Sequence, residues 1–182
     1  MTTYRPQFET ALRLFARVSE AMKASGLTAP ILVGGGAVEL YTRSAITTGD
    51  FDIVTPSQEA FEAELRQHGF TKPGGLGHTS LGWVHPDLGL GFEVVSATLL
   101  DGMADRDRIV LIDLGPDGVA AIISVEDMIA DRMGQYASGS APEMLEQARS
   151  LFHLYADADL DYMDQRIRYE TGGDHGVADL RD

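Results

Sequence analysis

The tightest constraint on this chain is the stretch Ile31-Leu32-Val33-Gly34-Gly35-Gly36-Ala37-Val38-Glu39-Leu40, followed after a short gap by Thr47-Thr48-Gly49-Asp50-Phe51-Asp52-Ile53-Val54. An apolar run that meets three glycines is built to turn, because glycine enters the left-handed backbone region freely and lets other groups come close. The second apolar run opens with two carboxylates at alternate positions, and alternate residues of a strand face the same way. Asp50 and Asp52 therefore share one face, their Cα atoms roughly 7 Å apart by the rise of a strand, while Phe51 and Ile53 share the other. The stretch predicts strand, glycine turn, helix and second strand, with two hard oxygen donors at the start of that second strand.

The flanking chain supplies the rest of one α/β core. Phe8, Leu12, Phe15, Val18 and Met22 recur at helical spacing between Gln7 and about Ser25, with Gly26 as a stop. Ala29 to Val33 reads as a buried strand and Ala37 to Arg43 as a helix; Pro56-Ser57 opens another helix with Ala60, Phe61 and Leu65 inward. Gly82-Trp83-Val84-His85 and Gly91-Phe92-Glu93-Val94-Val95 pair naturally as a hairpin, after a glycine-rich loop at Lys72 to Gly77. Further strands are expected at Arg108 to Ile112 and Val119 to Ile123, around the turn Leu114-Gly115-Pro116-Asp117-Gly118.

After Ser124 the pattern becomes helical. Ser124 and Asp127 have the spacing of a capping box, with Asp in place of the usual Glu. Helices follow from Pro142 to about Ala156 and from Leu160 to about Tyr169. The expected organisation is an α/β domain with a mixed sheet over residues 1–123, a helical subdomain over 124–172, and a short polar flexible tail at 173–182.

Composition excludes several classes of function. There is no cysteine, so neither a disulfide framework nor a thiolate metal site is available. No run approaches the roughly 18 apolar residues of a membrane span, and the N-terminus lacks a signal pattern, which together predict a soluble cytoplasmic protein with no membrane partner. A net charge of -14 argues against tight non-specific binding to nucleic acid, which depends on Lys and Arg neutralising phosphates. It leaves room for a nucleotide brought in with metal cations.

Glu93 is the third carboxylate of interest. It sits inside the apolar run Phe92-Glu93-Val94-Val95, where a charge is costly unless a cation or an arginine meets it. With Asp50 and Asp52 it would form a cage for hard divalent cations, and a pair of such cations stabilises the attacking and leaving oxygens of an in-line phosphoryl displacement. Gly34, Gly35 and Gly36, opening a helix, would present N–H groups to the phosphates, and Thr48 would add a hydroxyl. Together these devices describe nucleotidyl transfer from a nucleoside triphosphate. The bland alternative is that Asp50 brackets the strand start, Asp52 is solvated and Glu93 pairs with an arginine.

Gly34-Gly35-Gly36-Ala37, Thr48-Gly49-Asp50-Phe51-Asp52-Ile53 and Phe92-Glu93-Val94 together resemble the signature of the DNA polymerase β-type nucleotidyltransferase superfamily. More narrowly they resemble its small bacterial members, the AbiEii-type toxins and minimal nucleotidyltransferases. Val125 to Met133 is similar to a helix of those proteins, and the resemblance implies that Arg132 clamps the triphosphate. It further implies Mg²⁺-dependent transfer of a nucleoside monophosphate (for instance from ATP) to a hydroxyl on a protein, a tRNA or a small molecule such as an aminoglycoside, and, for a toxin, an antitoxin partner. Related proteins often carry an arginine where Ile46 stands here, with Arg43 the nearest substitute, and Ser140 to Glu143 lacks a basic residue. Those two departures favour the second reading, a catalytically inactive nucleotidyltransferase-like module that binds a nucleotide or a partner.

Other motifs fail on spacing. A dinucleotide-binding fingerprint would need a small residue where Glu39 stands, and would place its acid after the second strand. A P-loop lacks its Gly-Lys-Ser/Thr, and no Gly-x-Ser-x-Gly elbow occurs. His68, His78, His85, His153 and His175 show no zinc-binding spacing.

Overall fold

The computed structural model describes residues 4–73 and 82–181. His78 and the glycines at 74, 75 and 77 lie outside the described residues. The chain runs α1 (Pro6–Ala24), β1 (Ile31–Val33), α2 (Gly34–Tyr41), β2 (Asp50–Val54), α3 (Gln58–Gln67), β3 (Trp83–Val84), β4 (Gly91–Ser96), β5 (Val110–Asp113), β6 (Val119–Ile122), α4 (Val125–Ala137), α5 (Met144–Leu154) and α6 (Leu160–Glu170). The strands form one mixed sheet in the order β3-β4-β2-β1-β6-β5. Antiparallel β1 and β2 lie at its centre; β4 runs parallel to β2, and β6 parallel to β1.

Alternation along β2 and β4 gives the sheet its two characters. Phe51 and Phe92 are register partners, fully buried, and their rings stack 4.9 Å apart. Phe8 and Phe15 of α1 close on them, Phe8 at 5.2 Å from Phe51 and Phe15 at 6.3 Å from Phe92. Each such side chain contributes roughly 1.5–3 kcal/mol by leaving water. Asp52 and Glu93 are the adjacent register pair, so the same alternation turns both carboxylates to the opposite face. The apolar side of β2 thus clamps the strand and leaves its acidic side available.

The helices after Ser124 are joined by a buried polar cluster. Ser124 caps α4, its hydroxyl accepting from the Asp127 N–H at 3.1 Å and donating to the Asp127 carboxylate at 2.8 Å. Asp127, 1 % exposed, also accepts from Arg166 Nε of α6 at 2.9 Å and from the Tyr162 hydroxyl at 3.0 Å. Gly134 allows close approach of the two helices, because a Cβ there would sit 3.1 Å from Glu170 Cβ. None of the described helices is long and apolar enough to cross a membrane.

Two expectations are corrected here. The helix expected from Ala37 to Arg43 runs instead over Gly34–Tyr41, so the glycine turn is its first turn and follows Val33 at once. Residues 173–181, expected to be loose, are docked: Val177 and Leu180 are buried against α5 and α6, and Arg149 holds the Asp179 carbonyl at 2.9 Å.

Removing the acid from the Asp127 cluster takes from buried Arg166 one of its two carboxylate partners, leaving Glu170 alone, and also takes the acceptor of Tyr162 and Ser124, so Asp127→Ala is expected to cost up to about 3–5 kcal/mol of stability in urea unfolding. A second test uses pH. Hydrogen bonds from Arg13 and then Arg17 hold the Asp117 carboxyl below its usual value, so its stabilisation is present above the unfolded value near pH 4 and lost as pH falls through the folded one. Asp117→Asn should therefore lower the melting temperature at pH 7, with the gap from wild type closing below about pH 4.

Candidate active site

Strand pairing assembles the predicted acids. Val33 is the register partner of Asp52 across β1 and β2, and Asp52 the partner of Glu93 across β2 and β4. The glycine turn that follows Val33 consequently begins beside the Asp52 carboxylate. Gly34 has φ of 58°, and a Cβ on it would overlap that carboxylate; a Cβ on Gly35 would overlap the Thr48 hydroxyl. The Gly35 N–H donates to Asp52 Oδ2 at 3.3 Å. Only glycines permit this approach.

Asp50 stands exposed at the strand start, and the Thr48 hydroxyl donates to its carboxylate at 3.2 Å and to its carbonyl at 3.1 Å. Thr48 therefore supports Asp50 as the side chains stand. Glu93 is half-buried and makes no ion pair with any described arginine or lysine. Burial, and next the neighbouring Asp50 charge, push the Asp52 carboxyl above its ordinary value, with Glu93 adding to the rise and the Gly35 N–H and Arg132 opposing it. A cation among the three acids would relieve that repulsion.

No three acidic or imidazole groups among the described residues converge closely enough, as they stand, to form a closed metal cage. Asp52 is turned to Gly35 and Asp50 to Thr48. The donor set nonetheless fits a hard divalent ion, being oxygen-only, carried on one face of adjacent strands, and opened by glycines that keep side-chain bulk away.

Beside Asp52 lies a cavity of about 450 Å³ between the sheet and the later helices; of the three strand acids Asp52 lines it, and Asp50 and Glu93 do not. Gly34 and Asp52 line one side; Arg132, Asp131 and Gln135 of α4 and Glu170 of α6 line the other. Arg132 is 6 % exposed and its Nε has no hydrogen-bond partner among the described residues, while one terminal nitrogen lies 3.5 Å from Asp131. Asp101 lines the lip in a left-handed conformation, φ 54°. Burial raises the Asp131 carboxyl above its usual value; burial also raises Glu170, with the Asp131 and Asp101 charges adding to it.

The sequence reading missed this acidic wall and one arginine. Arg43 is exposed, with φ of 52°. The arginine that reaches the loop before Asp50 is Arg5, which forms a two-pronged pair with Glu39, at 2.6 and 2.9 Å, and also hydrogen-bonds the Thr48 carbonyl. Its position 34 residues before Glu39 gives no local pattern. Glu39 did carry a signal, as an acid in an otherwise apolar helix.

Gly34→Ala should destabilise the fold by about 1–3 kcal/mol more than Gly26→Ala in thermal unfolding. Both residues have positive φ, but nothing lies within 4 Å of a Cβ on Gly26, so the difference isolates the collision with Asp52.

No protein-family model and no curated sequence matches the chain. Solved structures do. The solution structure of the antibiotic-resistance factor ANT(2'')-Ia aligns at 17% identity and TM-score 0.56, over 88% of this chain and 91% of that one. ANT(2'')-Ia in complex with adenylyl-2''-tobramycin aligns at 16% identity and TM-score 0.58, over 90% and 98%. An antigenic nucleotidyltransferase-like protein from Paracoccidioides brasiliensis aligns at 11% identity and TM-score 0.61, over 94% and 90%. With its six-stranded mixed sheet and flanking helices, this chain has the nucleotidyltransferase fold.

Proposed function

We propose that this protein transfers a nucleoside monophosphate from a nucleoside triphosphate to a hydroxyl-bearing acceptor in the cavity between β2 and α4. The observation that carries this reading is the placement of Asp52, beside Glu93, across one cavity from a buried arginine whose Nε lacks a partner. A carboxylate face suits a divalent ion, and a half-satisfied guanidinium suits phosphate oxygens.

In this reading Asp50, Asp52 and Glu93 hold Mg²⁺ or Mn²⁺. Bound there, the ion would supply positive charge toward the phosphates and the acceptor oxygen. Gly34 to Gly36 leave the approach to β2 open and turn the first N–H groups of α2 toward the triphosphate. Arg132 neutralises the phosphates from the opposite wall, where its planar fork contacts two oxygens at once. Glu93 accepts the proton of the acceptor hydroxyl as its oxygen bonds to the α-phosphorus; the bond from that phosphorus to the β-bridging oxygen breaks, and pyrophosphate leaves.

The chemistry of the wall narrows the acceptor. Asp101, Asp131 and Glu170 line the same cavity, an arrangement that suits an amine-bearing polyhydroxyl compound better than a nucleic acid. That agrees with the net charge of -14 and with the adenylyl-tobramycin complex of the ANT(2'')-Ia neighbour. The AbiEii-like reading, with a toxin role and an antitoxin partner, rests on the sequence resemblance alone.

Incubation with each labelled nucleoside triphosphate and Mg²⁺, against amine-bearing sugars, tRNA and protein acceptors, is expected to label the first class. Asp52→Asn should reduce transfer by at least about 100-fold, since loss of a mere supporting contact already costs 10–100-fold. Undiminished transfer by Asp52→Asn contradicts the mechanism.

A further inference from the structure

One buried carboxylate outside the proposed chemistry holds the loop that presents it. Glu39 lies in α2, the helix whose first turn is the glycine turn, and is 0 % exposed. Its Oε1 accepts from Arg5 Nε at 2.6 Å and from the Ser44 hydroxyl at 2.9 Å. Its Oε2 accepts from another Arg5 nitrogen at 2.9 Å and from the Thr48 backbone N–H at 2.7 Å. Arg5 donates to the Thr48 carbonyl as well, and the Arg5 N–H donates to Ser44 Oγ at 3.1 Å. Both backbone polar groups of Thr48 are thereby fixed to the Glu39–Arg5 pair.

Thr48 is the connection to the candidate site. Its hydroxyl rests against Gly35 and donates to Asp50. The same loop holds Arg43 and Ser44 at φ of 52° and 62°, conformations that side-chain-bearing residues keep only when their surroundings hold them. The Ser44 contact with Glu39 is part of that hold. Thus one short helix carries the glycine turn at its start and, through Glu39, the anchor of Asp50 further along.

We propose that Glu39 is a positioning residue for the transfer centre: braced by Arg5, it fixes Thr48 and so sets the spacing between the glycine turn and the Asp50 carboxylate. This role rests on the transfer reading above. A displacement of about 1 Å costs roughly 100-fold when reacting groups must be aligned. Burying a fully desolvated carboxylate beside the site is expensive unless its contacts do such work.

The test follows Mn²⁺ binding by electron paramagnetic resonance, label transfer against Mg²⁺ concentration, and amide exchange, in wild type, Glu39→Gln and Ser44→Ala. Glu39→Gln is expected to weaken Mn²⁺ binding about 10-fold or more, the range seen when support for a metal ligand is lost. The Mg²⁺ requirement should rise in parallel, while KM for the triphosphate moves less than about 3-fold, since Arg132 is untouched. Exchange should accelerate at residues 44–50 in excess of any global change. Ser44→Ala, which removes one of the four contacts and keeps the buried pair, should show the same pattern at smaller size, and it carries the test if Glu39→Gln does not fold. A folded Glu39→Gln chain with wild-type Mn²⁺ affinity and wild-type exchange at 44–50 overturns the positioning role, as does Ser44→Ala with both unchanged when it alone folds. A wild-type chain that neither binds Mn²⁺ nor transfers label overturns the transfer reading itself.

Discussion

The arrangement depends on the close approach of the Gly34–Gly35 backbone to Asp52. Antiparallel pairing of Val33 with Asp52 sets the end of β1 beside that carboxylate, and the chain must then turn into α2 with no room for a side chain. Gly34 supplies the left-handed turn, Gly35 supplies an N–H to Asp52, and Thr48 fills the space against Gly35. A bulkier residue at either glycine would displace the strand, the helix or the acid. The central strands and the candidate site are thus built by one set of contacts.

The two faces of β2 divide the work. Stacked Phe51 and Phe92, under Phe8 and Phe15, supply the burial that holds β2 against β4 and α1. That burial stabilises an arrangement in which like-charged Asp50, Asp52 and Glu93 face the same side, which on its own is unfavourable. On the far side of the cavity, the Ser124–Asp127–Arg166 cluster joins α4 to α6, so Arg132, Asp131 and Glu170 are carried by mutually fixed helices. Rigid supports on both sides suit the proposed transfer, in which a triphosphate is aligned with an acceptor.

Much of this was legible in the sequence because it is local or periodic. The glycine triplet after an apolar run, the alternation in Asp50-Phe51-Asp52-Ile53, and a lone Glu93 among apolar residues each express a physical requirement within a few positions. The mixed sheet, and the run of helices after a capped Ser124, follow from the same patterns. Long-range pairings had no such signature. Arg5, the residue before α1, meets Glu39 of α2 only through the tertiary fold, and in the sequence Glu39 stands out only as a misfit to a dinucleotide-binding motif. No local pattern marks out Asp131, which lines the cavity, and two apolar residues, Val177 and Leu180, are too few to reveal that the last residues dock.

The central claim is that Asp50, Asp52 and Glu93 form the cation-binding face of a nucleotide site. It is tested most directly by adding Mn²⁺ with a non-hydrolysable nucleoside triphosphate to isotopically labelled protein and mapping paramagnetic broadening of the amide resonances. Broadening should be strongest at Gly35, Asp50, Asp52 and Glu93, weaken toward Arg132, and disappear in Asp52→Asn. Broadening centred instead on the exposed acids Asp157 and Asp161, or unchanged by Asp52→Asn, would contradict the claim.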